Sequence, residues 1–396
     1  MLPSGKETSG DLVLLGAFCL FLSALDYLIP KPMPFMRIGL ANLPLLLALA
    51  YPGTESRQPL FSAKNFFLLA LLKVLGQALL TGTFVSYVLI FSLAGTAVSS
   101  VVMFLLRMAG QRRVSLVGIG LTGAFASNAA QLMLARFLVF GESARYLAPP
   151  FLAAGIISGA VLGFFAEAFA ARSQWLRFRG SGAPVESPSN GNAAMPETAP
   201  AGSTAGDNGF SVKGAVLLLL AVLFLVLPYL PVRAVLFGVF WFLVILKRKK
   251  NRHPFQPPRH PFQSPRPFFT LISFTAIVVC NLFPPFGKIL FTAGPLLVAE
   301  GSLLQGIQRA VTMEALIMFS RLIPGVSLPL PGRLGRLLRE SFIILDQLKE
   351  TNLPVKGKDR KTNMVNFFYS LDTLMCRLSG FPIPAGTGMD TAEMQR

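Results

Sequence analysis

Long apolar runs separated by short polar or proline-broken turns fill the first part of the chain, at residues 11–29, 38–52, 61–80, 83–106, 114–140 and 147–171. A helix needs about 20 mostly apolar residues to cross a bilayer, so the pattern predicts six spans. From Gly180 to Gly209 there is no aromatic residue and no Lys or Arg, only a heavy load of Gly, Pro, Ala, Ser and Asn. Such a stretch cannot bury enough surface to repay ordering and reads as a disordered linker. Apolar runs then resume at 213–227 and 232–246, joined by Pro228-Tyr229-Leu230-Pro231 as a tight helical hairpin. A span is expected near Phe268–Leu282, a broken apolar stretch over Ile289–Val298, and a helix from Ser302 to Ile323. From Arg333 to Leu348, leucines at helical spacing alternate with Arg333, Arg336, Arg339 and Glu340. This is an amphipathic helix of the membrane-surface kind, or a docking helix for a cytoplasmic partner.

The fold class that follows is an all-α polytopic membrane protein with a six-helix N-terminal bundle and a second helical membrane module. Its expected divisions are 1–175, a linker at 176–212, the second module at 213–350, and a cytoplasmic tail at 351–396 with a short amphipathic stretch at 367–378. Composition agrees. Of 396 residues 53% are hydrophobic and only 14% charged, and the mean hydropathy of +0.59 is far above that of an ordinary soluble domain.

A formal charge of +18 would suit nucleic acid, but the basic residues gather between apolar runs. Arg107, Arg112 and Arg113 follow the fourth, Arg172, Arg177 and Arg179 the sixth, and Lys247 to Lys250 the eighth. All fall on one side, the cytoplasmic one by the positive-inside rule, if the N-terminus is also cytoplasmic. No nucleic-acid partner is expected; membrane lipids are. The first apolar run carries Asp26 and is expected to be retained rather than cleaved.

Several polar residues interrupt the apolar runs, and intramembrane polar groups are functional candidates. Asp26 precedes the turn bearing Pro30, Lys31, Pro32, Pro34 and Arg37. It reads either as half of an ion pair with Arg37 or Lys31, or as part of a pocket whose charges grip a polar head. Gly39 permits close backbone approach ahead of Asn42. Ser127, Asn128 and Gln131 sit in a small, apolar fifth run, with Asn128 and Gln131 three apart on one helical face. They either glue helices together or hydrogen-bond a substrate. The glycines at 118, 120 and 123 argue for close helix contact, and Lys73 with Gln77 forms a weaker candidate pair.

Cys19, Cys280 and Cys376 are too dispersed for a disulfide framework or metal cluster. Both histidines lie in the repeat Arg252-His253-Pro254-Phe255-Gln256 and Arg259-His260-Pro261-Phe262-Gln263, which suits extended chain against lipid headgroups better than a metal. There is no phosphate-binding loop of the Gly-x-x-x-x-Gly-Lys-Ser/Thr kind and no aspartate-rich stretch to hold magnesium against a diphosphate. No catalytic residue and no metal or cofactor is therefore assigned to this chain, and ATP would be used by partner subunits.

The segment Leu25–Tyr51, with Ile29-Pro30, Pro34 and Ile38-Gly39-Leu40-Ala41-Asn42, resembles the Gx transporter family, whose members are labelled heptaprenyl diphosphate synthase component I. Thr81-Gly82-Thr83, Phe91-Ser92-Leu93-Ala94-Gly95, Met103, and Ile119-Gly120 through Gly123-Ala124 to Asn128 and Gln131 follow in that family's order. The resemblance covers roughly residues 11–172. Its six-helix layout is similar to the substrate-binding membrane subunit of energy-coupling-factor vitamin transporters. The stretch Leu290–Leu348, with Glu300-Gly301, Gly306, Arg309, Arg321 and the final basic helix, is similar to their transmembrane coupling subunit, with Arg333 and Arg336 in place of its usual ATPase-gripping motif. The resemblance implies uptake of a small, partly apolar substrate, bound by Asp26, Arg37, Gly39, Asn42, Asn128 and Gln131, with ATPase subunits in trans. The family label implies an alternative: a non-catalytic membrane component of an isoprenoid enzyme, partnered by a polyprenyl synthase catalytic subunit.

Overall fold

The computed structural model describes residues 7–28, 39–52, 58–81, 86–181, 267–283, 285–293, 296–322, 332–350 and 370–381, with four further positions at 235, 238, 239 and 242. The expected hairpin at 213–246, the histidine repeat, Arg37 and most of the linker lie outside the described residues.

The first part is built from α1 (Glu7–Leu28), a 3-10 turn (Leu40–Asn42) leading into the short α2 (Leu43–Ala48), α3 (Ala63–Thr81), α4 (Tyr87–Gly110), α5 (Leu116–Ala135) and α6 (Ala144–Arg172). Among the described residues three helical stretches are long and apolar enough to cross a bilayer: Ala63–Thr81, Tyr87–Gly110, and the continuous run Leu116–Arg172. This fits a membrane-embedded protein. Their outward faces carry Ile90, Leu93, Val101 and Leu105 on α4 and Ile157, Val161 and Phe164 on α6, large apolar side chains where a water-facing helix would carry charge.

The run Leu116–Arg172 folds back on itself. One π-turn over Arg136–Phe140 and a 3-10 turn over Gly141–Ser143 reverse it, with Gly141 at φ 54°. The returning α6 then lies against α5 with backbone nearly touching backbone. A Cβ on Gly120 would fall 2.8 Å from Gly159 O, and one on Gly163 would fall 2.6 Å from Val117 Cα. Small residues of this kind let helices associate in lipid, where no hydrophobic force drives them together. Gly123 packs on Met103 of α4, whereas Gly118 meets its neighbours only at ordinary distance, so two of the three expected glycines make the close contact.

Expectation and structure part at three places. The second expected span, 38–52, contains only six α-helical residues, about 9 Å of helix. Gly39 at φ 83° starts the 3-10 turn, and after Ala50 the chain returns through Leu60 N to Ala50 O and Phe61 N to Ala48 O. The fold is mostly helical rather than all-α: β1 (Ile289–Ala293) and β2 (Leu296–Ala299) form an antiparallel hairpin in the broken apolar stretch, with a register irregularity between Ile289 and Phe291. Finally, the expected linker start at 176 lies inside a helix, α7 (Gln174–Ser181).

α8 (Pro267–Leu282) and α9 (Glu300–Leu322) pair closely, Gly306 against the Val278 backbone and Arg309 donating to Asn281 Oδ1 at 2.7 Å. Ser273 donates to the buried Glu314 within the pair. Together they share a core with the first part, in which Ile277, Ala310 and Met313 pack with Tyr87, Phe91 and Phe140. α10 (Gly332–Glu350) docks on the opposite flank. Its Leu337, Leu338 and Leu345 are buried, and Ser341 donates to Val13 O of α1 at 3.2 Å. Gly16 and Gly76 make the groove: a Cβ on Gly16 would come within 2.7 Å of Ser341 Oγ, and one on Gly76 within 3.1 Å of Leu338 Cδ1. The amphipathic helix thus lays its apolar face on protein, against α1 and α3.

The tail returns to the same end. Residues 370–378 are helical, and the Asp372 carboxylate accepts from Ser173 Oγ at 2.6 Å, Gln174 N at 2.8 Å and Trp175 N at 3.2 Å, satisfying free amides at the start of α7. Arg179 pairs with Asp11 of α1 at 2.5 Å and lies over the Phe381 ring. Val117 N at the start of α5 donates to Glu167 near the end of α6, and Arg107 at the end of α4 donates to Val114 O. The start of α1, the end of α4 and the end of α6 therefore share one end of the molecule, where the first two basic clusters lie; the third, at 247–250, is outside the described residues.

Candidate functional site

Polar side chains from five helices and one turn converge near the opposite end, on one cavity. α1 contributes Asp26 in its last turn, only 2% exposed. The 3-10 turn contributes Gly39 and Asn42. The left-handed conformation of Gly39 lets Asn42 N close on Gly39 O at 2.8 Å, and a Cβ at this position would crowd Asn42 Nδ2 at 3.0 Å. Glycine here is what turns the Asn42 amide inward.

α3 brings Lys73 and Gln77, one helical turn apart, and α4 brings Ser92 and Thr96 at the same spacing. Lys73 Nζ donates to Asn42 Oδ1 at 2.5 Å and reaches Thr96 Oγ1 at 3.4 Å. One ammonium thereby ties three elements together, and its charge is the reason the bonds are strong.

α5 supplies Ser127, Asn128 and Gln131, and α6 supplies Ser158. Asn128 Nδ2 donates to Phe151 O at 2.8 Å, in a space kept open by Gly155, whose Cβ would sit 2.3 Å from that nitrogen. Gln131 Nε2 donates to Ser127 Oγ at 3.1 Å. Gly95 of α4 makes room for this pair, since a Cβ there would fall 2.5 Å from Gln131 Nε2. Gln131 Oε1 is buried without a hydrogen-bond partner among the described residues.

Asp26, Gly39, Asn42, Asn128 and Gln131 are thus brought together as the sequence suggested. Arg37 lies outside the described residues. Arg333 and Arg336 are remote from the cavity, on the exposed face of α10, where Arg336 pairs with Glu340 one turn on at 3.7 Å. Lys73 and Gln77 prove as central as the stronger candidates, and Ser92, Thr96 and Ser158 join them without having been singled out. The four-residue spacing of Ser92 and Thr96 inside an apolar run was the available signal.

The cavity is about 30 Å³, room for about two water molecules. Chemically, the lining offers one carboxylate, one ammonium, four amides and four hydroxyls. Among the described lining residues there is no nucleophile paired with a base in the manner of a hydrolase.

The fold and this site define a membrane-embedded helical protein with a polar chamber. Residues 15–169, which hold every element of the chamber, match the family of heptaprenyl diphosphate synthase component I. Residues 266–324, covering α8, the β-hairpin and α9, match a domain of unknown function, DUF8519. The chain matches no curated protein and no solved structure.

Proposed function

We propose that this chain is the substrate-binding membrane component of an energy-coupling-factor-type uptake system, fused to a coupling-like module and set in the cell membrane with its N-terminus cytoplasmic. The observation that carries this reading is the convergence of Asp26, Asn42, Lys73, Asn128 and Gln131 on one chamber inside helices that are otherwise apolar. Buried polar groups in a membrane are costly unless they are satisfied by one another or by a ligand. Here the bundle would be a six-pass unit, with residues 38–52 as its short second pass. The chamber lies toward the outer end.

The docking of α10 supplies a mechanical connection. Its inner face contacts α1 at Gly16 and α3 at Gly76, and those two helices carry Asp26, Lys73 and Gln77. Gly16 and Asp26 are about 15 Å apart along α1 by helical rise. ATPase subunits gripping Arg333 and Arg336 on the outer face would move α10, and α1 and α3 would carry the displacement to the chamber. Reconstitution in liposomes tests this: solute should accumulate only when the ATPase subunits and ATP are present, and accumulation by this chain alone would defeat the proposal.

The family match supports a second reading, a membrane partner of a heptaprenyl diphosphate synthase catalytic subunit. Its test is co-purification. A bound synthase carrying paired aspartate-rich motifs, with altered product chain length, favours that reading over transport.

A further inference from the structure

Ten of the thirteen side chains lining the chamber are polar, and the other three are Gly39, Ala41 and Ala124. No leucine, phenylalanine or other large apolar side chain lines it among the described residues, although such residues make up most of the surrounding helices. A partly apolar ligand, as the sequence resemblance implied, would have no surface on which to lay its hydrocarbon. Binding sites for such ligands are lined mainly by hydrophobic and aromatic groups, with few polar ones.

Charge narrows the class further. Asp26 and Lys73 are the two charged residues among the described lining positions, so they contribute no net charge. Lys73 already donates to Asn42 and Thr96. A diphosphate would arrive with several negative charges, to face one shared ammonium and a carboxylate, and a buried charge without its own partner is strongly disfavoured.

Gln131 fixes one contact. Its Nε2 is held by Ser127, the pair fits only because Gly95 lacks a side chain, and its Oε1 is buried with no partner among the described residues. A buried carbonyl in this state is an acceptor waiting for a donor. The ligand must bring an N–H or O–H to it. The α5–α6 wall is locked by backbone contact at Gly120, Gly159 and Gly163, so room for the ligand comes from α1, the Gly39 turn and α3.

We infer that the chamber takes a small, water-soluble molecule, neutral or zwitterionic, that carries several N–H or O–H donors, one of which pairs with Gln131 Oε1. This rests on the reading of the first part as a binding component and names its substrate class. Prenyl diphosphates and partly apolar ligands find no complementary surface among the described lining residues.

The full chain in lipid nanodiscs, incubated separately with the water-soluble and the lipid-soluble fractions of a cell extract and then washed, provides the test. Retained molecules are identified by mass spectrometry, with their exchangeable protons counted by mass shift in D2O. The expected result is a retained species from the water-soluble fraction with at least two exchangeable protons. Its retention should fall at least tenfold in Gln131→Leu, while thermal stability is unchanged or raised, because leucine removes an unpaired oxygen at similar volume. Retention from the lipid-soluble fraction alone, retention of a diphosphate, or undiminished retention by Gln131→Leu overturns the substrate class and leaves the binding reading standing. Nothing retained from either fraction overturns both.

Discussion

Lys73 and Asn42, 31 residues apart, are joined by a hydrogen bond of 2.5 Å from the ammonium to the amide oxygen. That bond links the middle of a membrane helix to the tight turn set by Gly39. Removing the acceptor still leaves the ammonium its contact with Thr96, whereas removing the cation takes the donor from Asn42 Oδ1 and leaves the Asp26 carboxylate as the lone charge among the described lining positions. Asn42→Ala should therefore destabilise the protein by about 1.5–3 kcal/mol, and Lys73→Met by more, about 3–5 kcal/mol. Both should abolish ligand retention. Thermal unfolding in detergent separates the two effects, and equal destabilisation by both variants would contradict this account of the pair.

The α5–α6 contact makes a sharper contrast between neighbouring glycines. Gly120→Ala places a methyl 2.8 Å from Gly159 O, which cannot move without displacing the helix. Its cost should be about 1–3 kcal/mol. Gly118→Ala meets only Val114 Cγ1 at 3.5 Å and should be neutral or gain up to about 1 kcal/mol from helix propensity. Unfolding midpoints in the reverse order would show that the helices do not meet as described.

Much of the chamber was legible because membrane helices make polar residues conspicuous. Asn128 and Gln131 share a face by their spacing, and Asp26 stands out in an apolar run. The less legible parts depend on tertiary placement. Lys73 looked able to snorkel to the interface; only the position of Asn42 shows that it turns inward. Residues 38–52 have the composition of a span, but the left-handed Gly39 and the return of Leu60 to Ala50 shorten its helix to six residues. The docking of α10 was hidden because its leucine stripe suits lipid and protein alike, and what selects protein is the groove at Gly16 and Gly76, on other helices. Asp372 is 199 residues from Ser173, and no local pattern links them.

The tail clasp has its own test, in which Asp372 both caps α7 and faces Cys376. Burial first, and the Asp372 carboxylate second, push the Cys376 thiol from 9.0 up to about 12. A thiol whose folded value is raised contributes stability that is present below its unfolded value and lost as pH rises toward 12. At pH 8.5 Cys376 should react with iodoacetamide roughly a hundredfold more slowly than an exposed thiol. Asp372→Ala should raise that rate only in part, because burial remains the larger cause, and cost about 1–2 kcal/mol through the lost cap. Peptide-resolved alkylation measures the first effect, and fast labelling of the unaltered chain would show that the clasp is open.

The two faces of α10 should separate by mutation. Gly16→Leu collides with Leu72 of α3 and Ser341 of α10, so it should lower both ligand retention and ATP-driven uptake. Arg333→Glu with Arg336→Glu alters only the exposed face and should weaken ATPase association at least tenfold with no change in folding. Sedimentation of the assembled complex distinguishes these outcomes. Normal assembly by the double variant would remove both arginines from the proposed coupling surface.

The central claim is that the chamber between Asp26, Asn42, Lys73, Asn128 and Gln131 receives a small polar solute. Electron cryomicroscopy of the full chain in nanodiscs, saturated with the water-soluble extract fraction, addresses it most directly. The account predicts density for a compact molecule in contact with Gln131 Oε1, with α1 and α3 displaced outward. A chamber holding water alone, or one filled by a lipid tail, would contradict it.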